Sequence, residues 1–271
     1  MAGIGMSKGK DYFSKSLEKG LRILSMFDNT TRFLTQSEVA RKLELNMTST
    51  YRYINTLVEM GYLVKDSRTK EIRPSSKCLL FCNNLLRATD QLKLIREVID
   101  GIHTRWNLSI EVAFAVENSL VRIYNREADE TFTYRLPDST TDSFHNTALG
   151  KAFLSTLPHE ELLDRIEGME LARRTEKTIT DRDVLRDEIL KTKEQGFATT
   201  AEEYLPGLLA IAAPIFDPIN GQGVGAVSFD FSIMQHNGEQ IREKYSGLIR
   251  ETAARLSELV SPQIIFNQQH N

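Results

Sequence analysis

Between Ser16 and Phe27 the chain reads SLEKGLRILSMF. Leu17, Leu21, Leu24 and Phe27 recur there at helical spacing, so a helix with one apolar face is predicted, ended by Asp28-Asn29-Thr30. Thr35-Gln36-Ser37-Glu38 is a capping-box sequence, a hydroxyl followed three residues later by a carboxylate. It predicts a second helix with Val39, Ala40 and Leu43 inward. After the short turn Glu44-Leu45-Asn46, Asn46 suits the N-cap of a third helix, about Met47 to Met60, with Ile54, Leu57 and Val58 inward and Gly61 as its stop. Two short strands, YLV (62–64) and EIR (71–73), flank a polar tip. Helix, helix, tight turn, helix, hairpin is the order of a winged helix-turn-helix.

Ser75 suits the cap of a further helix carrying CLLFCNNLLRA. Its Leu79, Leu80, Leu85 and Leu86 exceed what a free surface helix carries, which implies cover from a second domain or another subunit. Gln91 to Trp106 reads as the next helix. The pattern then changes: 110–116, 120–127 and 131–136 alternate or run apolar with β-branched and aromatic residues, as antiparallel strands do. Thr147 opens a helix, Pro158 precedes another, and Thr180-Asp181-Arg182-Asp183 caps a third that Gly196 stops. Strands over 208–216 and 223–231 and a closing helix from Gln240 to Val260 complete an antiparallel sheet flanked by helices. The expected fold is therefore mixed α/β. A winged helix-turn-helix (14–76) is joined by a linker helix (77–90) to an α+β domain (91–262).

Length agrees, since 271 residues favour two domains. No apolar run approaches the roughly 18 residues of a membrane span, and the first ten residues hold no apolar signal-peptide core. Cys78 and Cys82 cannot build a disulfide framework, and so few cysteines fit a reducing compartment. The expectation is a soluble cytoplasmic protein without a membrane partner. On one helix at i and i+4, the two thiols are also short of the four ligands of a structural zinc site, so core packing is expected of them and no metal.

The net charge of −3 hides an asymmetry. Residues 1–77 hold 14 Lys and Arg against 8 Asp and Glu, whereas the remainder holds 20 against 29. A basic module joined to an acidic remainder is the layout of a nucleic-acid-binding domain attached to something else. On the third helix, Thr48, Ser49, Tyr51, Arg52 and Asn55 fall on the outward face, with groups that bond base edges and phosphates in a major groove. Arg52 is the strongest candidate because its planar fork suits guanine or phosphate. Lys65, Arg68 and Lys70 on the hairpin are placed to meet a phosphate backbone.

The runs SLEKGLRILSMF and LTQSEVARKLELNMTSTYRYINTLVEMGYL resemble the DNA-binding domain of the isocitrate-lyase-regulator (IclR) family of bacterial transcription factors. Asn46 and Met47 stand where that family usually has a Pro-Lys pair, and Tyr51 where it often has His. HNTALGKAFLSTLP, ITDRDVLRDEILKTKEQGFATTAEEYLPG, AIAAPIFD and GAVSFD resemble, in order, the family's effector-binding domain. The resemblance implies a GAF-like α+β fold. It also implies a small-molecule effector held by Ala148, Leu149, Thr200, Ala210, Ser228 and Asp230. Ala210 stands where many members have Cys, and Asp230 where a small hydroxyl is common. A carboxylate there repels an anionic effector unless paired or protonated.

The residues suggest an anion site independently, because the small residues of Thr147-Ala148-Leu149-Gly150 leave backbone N–H groups at a helix start. Tight packing of those residues on the sheet is the other reading. His145, with Asp142 and Ser143 close in sequence, is expected to be structural or pocket-lining, since adjacency does not build a triad. Glu202-Glu203 reads as a solvated loop, and GQGVGA (221–226) leads into a strand rather than a dinucleotide-binding helix. No catalytic residue and no cofactor are expected. The resulting expectation is a ligand-responsive regulator that binds a pseudo-palindromic double-stranded operator as a homodimer or homotetramer. The alternative is an enzyme or ligand-binding protein with a vestigial helix-turn-helix.

Overall fold

The computed structural model describes residues 13–27, 31–87, 90–116, 118–129 and 144–260. The chain divides into two units, Met1–Thr89 and Asp90–Asn271.

In the first unit, α1 (Lys15–Leu24) is capped by Ser14, whose hydroxyl accepts from the Leu17 N–H at 3.3 Å. Ile23 is fully buried, and the expected Leu24 and Phe27 pack with it against the core of this unit. The apolar face expected from Leu17 and Leu21 is rotated off the core, and both side chains are more than half exposed. α2 (Gln36–Lys42) carries the complete capping box: Thr35 accepts from the Glu38 N–H at 3.3 Å, and Glu38 accepts from the Thr35 N–H at 2.7 Å. α3 (Met47–Glu59) starts at Asn46, whose Oδ1 accepts from the Ser49 N–H at 2.8 Å. It ends before Gly61, at φ +76°, a conformation that favours glycine. β1 (Leu63–Lys65) and β2 (Ile72–Pro74) pair antiparallel, each one residue later than expected. A bridge from Leu34 to Ile72 ties the segment before α2 to this hairpin. α4 (Ser76–Arg87) follows, with Leu79 and Leu80 exposed and the side chains of Leu85 and Leu86 outside the described residues.

The second unit begins with α5 (Asp90–Trp106), β3 (Ser109–Val116) and β4 (Ser119–Arg126). Three helices follow, α6 (Ala148–Leu154), α7 (His159–Glu167) and α8 (Arg182–Gln195). β5 (Ala198–Ala201), β6 (Leu208–Phe216), β7 (Gly223–Ser232) and α9 (Gly238–Leu259) complete it. The five strands form one antiparallel sheet in the order β4-β3-β7-β6-β5. β5 was not expected, and the strand expected at 131–136 lies outside the described residues.

The two faces of the sheet differ in side-chain size. Ile110, Val112, Phe114, Leu209, Ile211, Val227, Phe229 and Phe231 form one core with α5 and α9. Each such side chain buried contributes about 1.5–3 kcal/mol. On the other face the strands present Ala113, Ala198, Ala210, Ala212 and Ala226, which let α6 lie close. Gly150 lies instead against the segment before α6: a Cβ there would overlap the Phe144 backbone.

Candidate functional site

Two sets of residues need placing, one in each unit. On α3 the outward residues Thr48, Tyr51 and Arg52 are exposed, while Ser49 and Asn55 are half-buried along the same helix. On the hairpin Arg68 and Lys70 are exposed and Lys65 is half-buried. The hairpin tip is ordered by Asp66, whose Oδ1 accepts from the Arg68 and Thr69 N–H groups, each at 2.8 Å. Those donors hold the Asp66 carboxyl below its usual range. Lys70 is at φ +63° and its ammonium donates to the Ser67 carbonyl at 2.6 Å, curling over the tip. Sequence spacing did not reveal that Lys65 Nζ sits over the Tyr51 ring, 5.6 Å from its centroid. This cation–π contact links the wing to the helix.

In the second unit, strand alternation decides what β7 offers each layer. Val227, Phe229 and Phe231 enter the α5–α9 core, so Ser228 and Asp230 face the α6 side. Opposite Ser228 stand Glu111 on β3 and Ala212 on β6; opposite Asp230 stand Ser109 and Ala210. Thr200 on β5 pairs with Ala210. Thr147, Ala148, Leu149, Thr200, Tyr204, Leu208, Ala210, Ser228 and Asp230 line one nearly closed cavity of about 10 Å³. All six residues that the family resemblance implied are among them. That is room for about one water, far below the roughly 300–1,000 Å³ of sites for drug-sized ligands, so a ligand enters only by moving lining side chains.

The polar floor of this cavity is under-satisfied. Ser228 Oγ and Asp230 Oδ1 are buried without a hydrogen-bond partner. Arg122 on β4 forms an ion pair with Glu111, Nε to Oε1 at 3.0 Å, with both side chains largely buried. Burial first, and then the Glu111 carboxylate, push the Asp230 carboxyl up to about 7 against smaller pulls from Ser228 and Arg122. Glu111 and Arg122 did not enter the sequence reading, although a charge at alternate positions inside an otherwise apolar strand was the signal for them.

The helix start is less open than its small residues suggested. Thr147 caps α6 by accepting the Gly150 N–H at 3.1 Å, which removes one donor from the turn. His145 is buried, with Nε2 3.1 Å from the Ala172 carbonyl oxygen. Burial lowers its pKa and favours the neutral ring, as a structural role requires. Asp142 and Ser143 lie outside the described residues.

Glu203 corrects the solvated-loop expectation. It is buried and accepts from Lys151, whose ammonium lies 2.8 and 2.7 Å from its two oxygens. Burial raises the Glu203 carboxyl and the charge of Lys151 pulls it back. Glu202 is paired separately with Lys177 and accepts the Gly207 N–H at 2.9 Å. The expected core packing of the cysteines also fails in part, since Cys82 is exposed and Cys78 half-buried. Among the described residues no group of three His, Cys, Asp or Glu is placed to hold a metal ion, and no helix is long and apolar enough to cross a membrane.

A winged helix-turn-helix joined to a domain with a small cavity defines a helix-turn-helix transcriptional regulator. Residues 16–67 match the IclR helix-turn-helix domain, and residues 84–258 match the bacterial transcriptional regulator IclR C-terminal domain. The chain belongs to the IclR family of bacterial transcriptional regulators. Its relatives are named as regulators rather than enzymes. It is 27% identical over 259 residues to the p-hydroxybenzoate hydroxylase transcriptional activator of Acinetobacter baylyi, covering 93% of each chain. It is 23% identical over 223 residues to the regulator KdgR of Escherichia coli, covering 82% of this chain and 83% of that one. Among solved structures, a transcriptional regulator from Rhodococcus superposes with a TM-score of 0.71 at 25% identity, covering 91% of this chain and 98% of that one. An IclR homologue of Microbacterium hydrocarbonoxydans complexed with 4-hydroxybenzoate shares the fold, with a TM-score of 0.64 at 20% identity, covering 90% of this chain and 98% of that one.

Proposed function

We propose that this chain is a metabolite-responsive regulator that binds a pseudo-palindromic operator as a dimer or a pair of dimers. The observation that carries the ligand-responsive part is convergence: residues from α6, β5, β6 and β7, far apart in sequence, line one cavity with two unsatisfied polar atoms. The 4-hydroxybenzoate held by the Microbacterium homologue supports a small organic effector for this architecture. For DNA, α3 supplies Thr48, Ser49, Tyr51, Arg52 and Asn55 to a major groove, while Lys65, Arg68 and Lys70 of the wing meet phosphate. The excess of basic residues over 1–77 favours counterion release on binding.

The test is binding of the full chain to genomic fragments at two salt concentrations, with and without a metabolite mixture. A specific fragment should be retained at low salt, released steeply as salt rises, and shifted in affinity by metabolites. Absence of any specific fragment at low salt, in both conditions, refutes operator binding. Specific binding that no metabolite alters refutes the sensing half.

A further inference from the structure

The floor of the α6 cavity is acidic, and the acids are not balanced there. Asp230 Oδ1 and Ser228 Oγ are sealed from solvent and lack partners. Glu111 faces the same side of the sheet directly opposite Ser228. The nearby guanidinium of Arg122 is committed to Glu111 at 3.0 Å. Lys151 of α6 is committed to Glu203. The lining residues themselves include no Lys, Arg or His; the other walls are Thr147, Thr200, Tyr204 and aliphatic side chains.

We infer that the effector of this chain presents a hydrogen-bond donor, an ammonium or a hydroxyl, to Asp230 and Ser228, and that a carboxylate at that end is rejected. The inference rests on the reading of this cavity as the effector site. A ligand carboxylate at that end would add a further buried acid beside Asp230 and Glu111, where the Arg122 guanidinium is already paired with Glu111, and like charges in one site disfavour each other's ionised form. A hydroxyl or ammonium satisfies Oδ1, leaves Ser228 free to donate or accept, and in the ammonium case neutralises the surplus charge. With the donor absent, the buried oxygen keeps its full desolvation penalty, so discrimination between matched ligands is expected to be large.

The test uses two matched sets on the full chain by titration calorimetry: benzoate, benzyl alcohol and benzylamine, then pentanoate, pentanol and pentylamine, none of which carries another hydrogen-bond donor. Within each set only the terminal group changes. In at least one set the alcohol or amine should bind at least about tenfold tighter than the acid. Asp230→Asn, and independently Asp230→Ser, should shrink that preference or reverse it. The inference is overturned if an acid binds tightest, if the order is the same in both Asp230 variants, or if no donor-bearing probe binds at millimolar concentration. Ala210→Phe, which fills the cavity from β6, separates the two levels of failure. An acid that binds tightest and is lost in Ala210→Phe overturns the donor preference while the effector site stands. Affinities untouched by Ala210→Phe overturn the site and the donor preference together.

Discussion

Lys151, in the middle of α6 and only 1% exposed, holds both carboxylate oxygens of Glu203, which lies 52 positions later in the loop after β5. The pair fixes the cavity wall, because the next residue, Tyr204, lines the cavity and carries the Arg174 guanidinium 4.5 Å above its ring. Thr175 and Thr178 add hydroxyl hydrogen bonds to the Glu203 carbonyl. Removing one member leaves the other charge buried and alone. Lys151→Met is therefore expected to cost about 3–5 kcal/mol, and Lys151→Met with Glu203→Leu distinctly less than the single change. Urea unfolding of the three variants checks this; a single-variant cost under about 1 kcal/mol would mean a solvated pair.

Asp230 gives the folded chain a pH dependence. Its carboxyl is raised from 3.8 to about 7, so it takes up a proton more readily in the folded than in the unfolded chain. Below pH 4 both states hold the proton and the neutral acid is tolerated. As pH climbs towards 7 the unfolded chain gives up its proton first, and stability falls; above about 7 both states are ionised and the loss is complete. Asp230→Asn should be more stable than the parent at pH 8, by up to about 4 kcal/mol, and nearly equal to it near pH 3. Melting curves across that range test the sign: a gap that widens on acidification would place the carboxyl in a charge-stabilising site instead.

Much of the fold was legible because helix ends carry local chemistry. Thr35 with Glu38, Asn46, Asp181, Gly61 and Gly196 act where the sequence placed them, since a cap is satisfied within three or four residues. β6 and β7 were visible as apolar runs between turns. β5 was not, because ATTA is short and polar and becomes a strand only by pairing with β6. Periodicity placed α1 and put Leu24 and Phe27 inward, where they pack on the core, but it also assigned Leu17 and Leu21 inward where only Ile23 is fully buried. At the cavity, residues at i and i+2 on β7 were readable from alternation. The ion pairs Lys151–Glu203 and Arg122–Glu111 were not, because their partners meet only through the tertiary fold.

Gly150 and Gly101 both sit in helices, and the same substitution should move stability in opposite directions. A Cβ on Gly150 overlaps the Phe144 backbone, so Gly150→Ala forces α6 and the segment before it apart and should cost about 1–3 kcal/mol. A Cβ on Gly101 meets nothing within 4 Å, so Gly101→Ala should gain about 0.5–1 kcal/mol from helix propensity. Parallel denaturation of the two variants decides it, and equal shifts would show that the Phe144 backbone does not lie so close to Gly150.

Arg52 is exposed on the outward face of α3, one residue beyond the Tyr51 ring that Lys65 covers. If Arg52 reads a base, Arg52→Ala should weaken specific binding by about 1–3 kcal/mol and relax preference at one position of the site. If it contacts phosphate alone, specific and random duplexes should weaken alike and the salt slope should drop by about one. Fluorescence anisotropy with both duplexes distinguishes these, and no change with either would remove Arg52 from the interface.

The first unit also exposes apolar surface of a kind that monomers seldom keep. Phe13, Leu17 and Leu21, four positions apart, are 62%, 63% and 54% exposed, and Leu79 and Leu80 on α4 are 74% and 56% exposed. Single exposed apolar residues are ordinary, but spacing of four places Leu17 and Leu21 along one side of α1, where a second chain can cover them together. Each Leu covered is worth about 1.5–3 kcal/mol. We expect the full chain to sediment as at least a dimer at micromolar concentration, and Leu17→Glu with Leu79→Glu to shift it towards monomer. The same double variant should lose affinity for a two-half-site duplex while keeping its weak affinity for a single half-site, because the second contact then no longer benefits from being tethered to the first. A parent chain that sediments as a monomer would contradict both the interface and the palindromic operator.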